Sequence, residues 1–265
     1  MRILKPIVLW FFAATACQGG EFRLAVTTSV QNSGLADAIM PLAEADLGFE
    51  IDVFVAGTGQ ALRLGQAGDV DAVLVHAPVA EAAYVAAGHA PYRREIMYNT
   101  FVLVGPGQDP AGIKSSRSAA DALNAIAQAE AVFVSRGDES GTHKRELELW
   151  DASGRQPGGA WYRSVGAGMG TALNIAVGMG AYILTDKASW LNFGNQSNLE
   201  ILFEGDPDLV NQYAFLPLTA VAGDPETAQR SAAVEDWLTS ERGQAAIGAY
   251  KIGTVSVFVP NATPN

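Results

Sequence analysis

Cysteine is nearly absent from this 265-residue sequence, which contains only Cys17. A single cysteine excludes an intramolecular disulfide framework and the zinc sites that need several thiolates. Histidine is also scarce, and neither His-Glu-x-x-His nor Gly-x-Ser-x-Gly occurs in the sequence. We therefore expect no enzyme, no resident cofactor and no site for a metal cation.

Positive charge is the next scarcity: 17 Lys and Arg stand against 28 Asp and Glu, for a formal net charge of -11. An acidic chain does not fit a nucleic-acid partner. It also repels anions overall, so any anion site must work by local geometry. Charged residues make up only 17% of the chain and hydrophobic residues 49%, which excludes a disordered chain. The length permits one large domain or two smaller lobes.

Residues 1–16 have the organisation of an export signal peptide. Arg2 and Lys5 precede a short apolar stretch that ends in small residues, and this stretch is too short for a permanent transmembrane helix. Cys17 follows directly, as the cysteine of a bacterial lipobox does, although Ala14 departs from the usual leucine. We expect a periplasmic protein, and membrane anchoring through a lipidated Cys17 stays open.

The sequence from 131 to 150 predicts a strand, a tight loop and a helix. An apolar run at 131–134 precedes a polar loop rich in hydroxyl groups. Leu147 and Trp150 then follow at helical spacing, which predicts that they share the buried face and that Glu146 lies off it.

This loop carries the chemistry for binding a compact anion. Arg136 supplies a guanidinium, either Ser140 or Thr142 can cap the helix, and Gly141 lets backbone approach a ligand closely. A helix N-terminus presents free N–H groups and the positive end of the helix dipole. We predict a pocket of hydrogen-bond donors for an anion. The alternative is an ordinary capped helix whose arginine pairs with a neighbouring acid.

Earlier segments repeat the pattern of strand, loop and helix. Residues 22–26 run into the hydroxyl residues 27–29, residues 49–55 end at a Gly/Thr loop, and residues 71–75 end at His76. Repeated units of this kind predict an α/β sheet with ligands bound at the carboxyl ends of the strands.

Two long apolar segments, 95–104 and 210–218, are predicted as strands that cross between two lobes. The predicted division is residues 1–16 for the signal peptide, 22–101 plus 217–265 for lobe I, and 102–216 for lobe II. The ligand cleft would lie between the lobes. The sequence does not show whether the two crossing strands pair.

Several blocks resemble, in order along the chain, the signatures of tungstate-binding proteins of ABC importers. Residues 26–29 are similar to a Thr-Thr-Thr-Ser motif, with Val26 in place of the first threonine, so any role of that hydroxyl is lost. The other similar blocks are 57–62, 68–78, 97–99, 104–106, 109–112 and 135–143. The likeness covers nearly the whole chain from about Leu24 to the predicted return strand.

The resemblance implies a two-lobed periplasmic-binding-protein-like fold of type II with two hinge crossings. It also implies a monomer that binds tungstate in the cleft and delivers it to an ABC permease in the inner membrane. The ligand donors implied by matching positions are Thr28, Ser29, Thr58, Arg136, Ser140, Gly141 and Thr142. Secondary candidates are Gly170 and Thr171.

Phosphate-binding proteins share the Arg-x-x-x-Ser-Gly-Thr element, so this element alone does not name the ligand. Tungstate and molybdate are fully deprotonated at neutral pH and only accept hydrogen bonds, whereas phosphate keeps a proton that a carboxylate can accept. Residues 75–78 carry no acid at the corresponding place, and Asp138 and Glu139 are expected to face outward. The predicted order of preference is tungstate, then molybdate, then phosphate.

The histidines leave one enzyme alternative open. A hydrolase or transferase that uses Ser140 and His143 is kept as a rival, because catalytic triads are recognised only by geometry. His76 is expected to hydrogen-bond backbone at its strand end, and His89 lies in a Gly/Pro loop without a predicted role.

Overall fold

The computed structural model describes residues 21–263 of the chain. The predicted signal peptide and Cys17 lie outside this range, so the predictions of export and lipidation stay predictions. Within residues 21–263, no helix has the length and apolar character needed to cross a membrane.

Strands and helices alternate along most of the described chain, as the repeated sequence pattern predicts. The strands are β1 (Phe22–Thr27), β2 (Ile51–Ala56), β3 (Ala72–Val75), β4 (Arg94–Pro106), β5 (Phe133–Ser135), β6 (Tyr162–Ser164), β7 (Tyr182–Asp186), β8 (Leu199–Phe203), β9 (Val210–Pro217), β10 (Lys251–Ile252), β11 (Val255–Ser256) and β12 (Val259–Pro260). The α-helices are α1 (Thr28–Asn32), α2 (Leu35–Leu47), α3 (Thr58–Ala67), α4 (Pro78–Ala86), α5 (Ala119–Gln128), α6 (Gly141–Ala152), α7 (Met169–Met179), α8 (Lys187–Asn192), α9 (Pro225–Thr239) and α10 (Glu241–Ala249).

The first half of the main sheet contains the strands β2, β1, β3, β9 and β4, in that order. β1 pairs in parallel with β2 and β3, because helices return the chain to the same edge before each new strand. β9 is antiparallel to both of its neighbours. The loops that follow β1, β2 and β3 therefore meet at one edge of this half.

β4 carries the chain from the first half of the sheet to the second. Its residues 94–100 pair with β9, and its residues 101–106 pair with β7 and β8. In the second half, β5 lies parallel to both β6 and β7, so the loops after β5 and β7 also share one edge. The fold is thus the two-lobed α/β architecture that was predicted.

The pairing of β4 with β9 answers the question that the sequence left open. The two crossing segments are antiparallel neighbours, with Asn99 opposite Asn211. Residues 214–217 of β9 also pair with β3 in the first half of the sheet. The predicted lobe boundaries at residues 101/102 and 216/217 fall within the crossing strands β4 and β9, and the division itself stays a prediction.

Each half of the sheet has a hydrophobic core on both faces. In the first half, Leu24 and Val26 face one core, and Ala25 between them faces the other. In the second half, Leu103 and Val104 of β4 separate in the same way. This alternation is the two-residue period of a strand. Because each half has its own cores, the halves can act as two lobes joined by the crossing strands β4 and β9.

The buried face of α6 differs from the prediction. Glu146 is buried, whereas Leu147 is 43% exposed. The carboxylate is tolerated inside because Glu146 Oε1 accepts hydrogen bonds from Trp150 Nε1 at 3.2 Å and from the Tyr162 hydroxyl at 2.7 Å. The strands β6 and β8 were not predicted from the sequence.

Candidate anion-binding site between the lobes

Arg136 follows β5 directly and lies inside the protein, with only 1% of its surface exposed. Burial lowers the pKa of Arg136, and the neighbouring Asp138 partly offsets this, so the guanidinium stays charged. Arg136 Nη2 donates to Asp138 Oδ2 at 2.5 Å. The Nε and Nη1 atoms of the same side chain are buried without a hydrogen-bond partner among residues 21–263.

Asp138 shapes the loop between β5 and α6. One carboxylate oxygen pairs with Arg136, and the other accepts from the Ser140 backbone N–H at 3.2 Å. The expectation that Asp138 faces outward is therefore wrong, because a buried guanidinium needs a nearby counter-charge. Glu139 does face outward, and its exposed side chain lies 3.8 Å from that of Arg63.

The N-terminus of α6 supplies further donors. Ser140 is the N-cap, and its Oγ accepts from the His143 backbone N–H at 3.2 Å. The backbone N–H groups of Gly141 and Thr142, at the first two helical positions, have no partner within a helix. The Thr142 hydroxyl is buried and unpartnered within the described chain. These groups follow Arg136 closely in the chain, at the N-terminus of the helix that its loop leads into.

Lobe I contributes hydroxyl groups from the ends of β1 and β2. Thr28 Oγ1 accepts from Arg136 Nη2 at 3.4 Å, so the two lobes contact each other at the site. Thr58 is the first residue of α3, and its buried hydroxyl has no partner within residues 21–263. A Cβ atom added at Gly57 would lie 4.0 Å from Ser140 Cα. The N-termini of α3 and α6 therefore face one another, an arrangement suited to an anion.

Ser29 is buried near Asp186 and Tyr213. Its hydroxyl, like those of Thr58 and Thr142, has no hydrogen-bond partner within residues 21–263, so its role as a ligand donor stays a prediction. Asp186 caps α8 and accepts from the Ser189 backbone N–H at 2.9 Å. Burial raises the pKa of Asp186, whereas these hydrogen bonds and the charge of Arg136 lower it.

Gly170 and Thr171 are both exposed at the start of α7. Gly170 lines a groove together with Asn32 and Asn192. The chain just before α7 lies next to the loop of Arg136, because the Ala167 N–H donates to the Arg136 carbonyl oxygen at 3.0 Å. The role of Gly170 and Thr171 in binding stays a prediction.

Other residues at the site were not selected from the sequence. Thr27 has a buried hydroxyl without a partner in the described chain, and the run of three hydroxyl residues was the available signal. Asp186 could have been noticed as an acid at the end of an apolar strand. His76 bonds to the Asn211 side chain at 2.8 Å and not to backbone as expected. Burial lowers the pKa of His76 to about 4, so the ring is neutral at neutral pH.

The histidine at the start of α6 does not form a catalytic pair with Ser140. The His143 ring accepts a hydrogen bond from the Glu139 backbone N–H at 3.1 Å, and the Ser140 hydroxyl is engaged by the His143 backbone. The ring is therefore not placed as a base for Ser140. Among the residues that the structure describes, no cluster of His, Cys, Asp and Glu could hold a metal ion.

Comparison with known proteins identifies close relatives. A sequence model of the PBP superfamily domain matches residues 13–242. The tungstate-binding protein TupA of Peptoclostridium acidaminophilum is 42% identical, over 99% of this chain and 98% of its own length.

Two solved structures share the fold. The tungstate ABC transporter structure from Geobacter sulfurreducens superposes with a TM-score of 0.78 at 41% identity, covering 87% of this chain and 98% of that one. The tungstate-binding protein TupA from Desulfovibrio alaskensis G20 superposes with a TM-score of 0.78 at 39% identity, covering 92% and 99%. With a superfamily model over most of its length and a full-length relative at 42% identity, this chain belongs to the PBP superfamily and, within it, to the TupA family.

Proposed function

We propose that the protein binds tungstate between its two lobes and delivers it to the permease of an ABC importer. The observation that carries this proposal is the buried guanidinium of Arg136, whose Nε and Nη1 atoms have no partner within residues 21–263, as is also true of the buried hydroxyls of Thr58 and Thr142. Buried polar groups are nearly always hydrogen bonded in proteins. A ligand made only of acceptor atoms would satisfy all of these donors together.

The donor set favours a small, fully deprotonated oxyanion. It combines one cation with hydroxyls and two helix N-termini, α3 and α6, that face each other. Such a shell gives contacts on several sides of a tetrahedral anion. Tungstate and molybdate share charge and shape, so molybdate stays the nearest alternative. The relatives named for tungstate support the first choice.

One observation favours phosphate as the second candidate function. Asp138 lies beside Arg136 and not on the outer surface, so a carboxylate acceptor is present next to the candidate site. A protonated phosphate can donate to such a group, whereas tungstate cannot. Asp138 is already engaged by Arg136 and the Ser140 N–H, which leaves it less available to a ligand.

The same proposal includes the location and partners of the protein. We infer an exported, monomeric protein that meets its permease at the outer face of the inner membrane. The signal-like residues 1–16 and the ABC-importer relatives support this inference. Intact mass of the exported protein would show whether it begins at Cys17 and whether that cysteine carries lipid. Retention of residues 1–16 would contradict the export proposal.

Calorimetric titration tests the ligand. Protein freed of metal oxyanions is titrated separately with tungstate, molybdate, phosphate and sulfate. We expect tungstate to bind most tightly, and a thousandfold excess over its Kd to stabilise the fold by about 4 kcal/mol. Tighter binding of phosphate than of tungstate would favour phosphate binding as the function. Absence of binding and of any thermal shift with all four anions would refute an anion-binding function.

A further inference from the structure

His76 and Gly141 touch each other across the cleft. His76 follows β3 in lobe I, and Gly141 is the first residue of α6 in lobe II. A Cβ atom on Gly141 would lie 2.6 Å from His76 Cε1, 2.8 Å from His76 Nδ1 and 2.8 Å from the His76 carbonyl oxygen. These distances leave no room for even a methyl group. The missing side chain at residue 141 is therefore required by the approach of the opposite lobe.

The His76 ring is held rigidly by the strands that cross between the lobes. Its Nδ1 lies 2.8 Å from Asn211 Oδ1, and Asn211 Nδ2 donates to Asn99 Oδ1 at 2.7 Å. Because the Asn211 amide group donates to Asn99, its oxygen is the acceptor for His76, and the proton is on Nδ1. The ring also lies 4.8 Å from the Tyr213 ring and 6.3 Å from the Phe101 ring. His76 is only 4% exposed.

The chain of buried amides continues to the side of the site that contains Arg136. Asn99 Nδ2 donates to Asp186 Oδ1 at 3.2 Å, and Asp186 is the last residue of β7, the parallel neighbour of β5. Arg136 follows β5, and its charge acts on Asp186. The position of His76 is thus tied to both crossing strands and to the strand ends of lobe II.

We propose that His76 is a positioning residue that stops the closure of the lobes against Gly141 and thereby sets the size of the anion that the cleft accepts. This inference rests on the anion-binding function proposed above. The donors come from both lobes, and the contact between Thr28 and Arg136 is already 3.4 Å long. Because hydrogen bonds weaken steeply with distance, a fixed stop favours a larger tetrahedral anion such as tungstate over a smaller one such as sulfate.

Substitutions on the two sides of the contact should move selectivity in opposite directions. Gly141→Ala adds a methyl group where there is no space, so it should hold the lobes apart. The affinity for sulfate should then fall more than the affinity for tungstate. His76→Ala removes the ring and leaves only the backbone carbonyl of residue 76 against Gly141, so the lobes should approach further on the ring side and sulfate should bind relatively better. We expect changes in the ratio of the two affinities of about tenfold, the effect of one or two altered hydrogen bonds.

Matched variants distinguish an altered closure stop at His76 and Gly141 from a general loss of structure. His76→Gln keeps bulk and a polar contact to Asn211, so it should keep selectivity close to that of the parent. Gly178→Ala adds the same methyl group at a helical glycine with nothing within 4 Å, so it should change neither affinity. Calorimetric titration with tungstate, and displacement of tungstate by sulfate, give the ratio. Unchanged selectivity in both Gly141→Ala and His76→Ala would overturn the inference while leaving the anion-binding function intact.

A measurement without ligand makes the inference testable even if no anion binds. Spin labels at Leu42→Cys in α2 and Asp121→Cys in α5, in a chain with Cys17→Ser, report the distance between the lobes by double electron–electron resonance. Gly141→Ala should lengthen the shortest population and His76→Ala should shorten it, whereas Gly178→Ala should do neither. Identical distance distributions in all variants would overturn the inference that His76 limits closure of the lobes. His76→Ala removes atoms, so it keeps the test decisive if Gly141→Ala fails to fold.

Discussion

Two groups of buried polar side chains lie at or next to α6 and differ in their hydrogen bonding. The cleft group contains Arg136, Thr58 and Thr142, and each has at least one buried atom without a partner in residues 21–263. The inner group contains Glu146, Trp150 and Tyr162. There the carboxylate of Glu146 receives hydrogen bonds from both of the other side chains.

This difference distinguishes a binding surface from a structural network. A buried polar atom without a partner costs free energy, so a fold keeps such atoms only where something else completes them. The inner group is complete within the protein and ties α6 to β6. The cleft group is incomplete, and it includes the one guanidinium among the three side chains. We expect substitutions in the cleft group to change affinity, and substitutions in the inner group to change stability.

The largest expected effect is on affinity, from Arg136→Ala. The ligand would keep only neutral donors, and the expected loss is roughly 3–5 kcal/mol, the cost of breaking a buried charge pair. This corresponds to about two to four powers of ten in the Kd for tungstate. Arg136→Lys should recover only part, because an ammonium lacks the planar fork of the guanidinium. Titration calorimetry provides the measurement, and a Kd within about threefold of the parent would remove Arg136 from the site.

The second-largest expected effect is on stability and its pH dependence. It is produced by Glu146→Gln. Burial raises the pKa of Glu146 from 4.5 to about 7. The folded state therefore binds a proton more tightly than the unfolded state, and this contribution is full below about pH 4.5 and lost as pH rises to about 7. The change is ~3 kcal/mol in the free energy of unfolding. Glu146→Gln should remove this pH-dependent change in the free energy of unfolding.

Urea unfolding of the parent and of Glu146→Gln across this pH range tests the prediction by difference. The comparison of parent and variant is needed because the titration of His76 changes stability with pH in the opposite direction. The pKa of His76 is lowered to about 4 by burial, so its contribution is present above about pH 6.5 and lost as pH falls to 4. Tungstate affinity at neutral pH should stay within about threefold of the parent. A large affinity loss in Glu146→Gln would break the distinction between the two groups.

The smallest expected effects come from single hydroxyl groups. Thr58→Val and Thr142→Val keep the shape of the side chain and remove one donor, so each should weaken tungstate by about 1.5–3 kcal/mol, the range for a hydrogen bond to a charged group. Stability should not fall, because neither hydroxyl has a partner in the described chain. Thr219→Val is the matched control, since Thr219 is exposed and follows β9 near the start of β3, at the edge of the sheet opposite to the loop after β3. Equal affinities of all three variants and the parent would show that the cleft hydroxyls do not bind the ligand.

The local parts of the fold could be predicted from the sequence. The strand, loop and helix around Arg136 appear where the pattern places them, and Ser140 caps the helix as one of the two candidates. These features depend on hydrophobic period and on contacts within a few residues. The return of the chain through a second crossing strand was also predicted. The order of the strands in the sheet could not be predicted from local patterns, because strand pairing joins segments that are far apart in the chain.

The sequence alone thus determined the α/β units, the donor-rich loop and the resemblance to tungstate-binding proteins. Only the tertiary structure decided which side chains meet. Thr28 and Arg136 are 108 residues apart, and His76 and Asn211 are 135 residues apart. Asp138 was misjudged although its partners, Arg136 and the Ser140 N–H, are only two residues away, because the burial of Arg136 that turns the carboxylate inward comes from the whole fold. Burial then removes water as an alternative partner, so these distant contacts determine the geometry of the site.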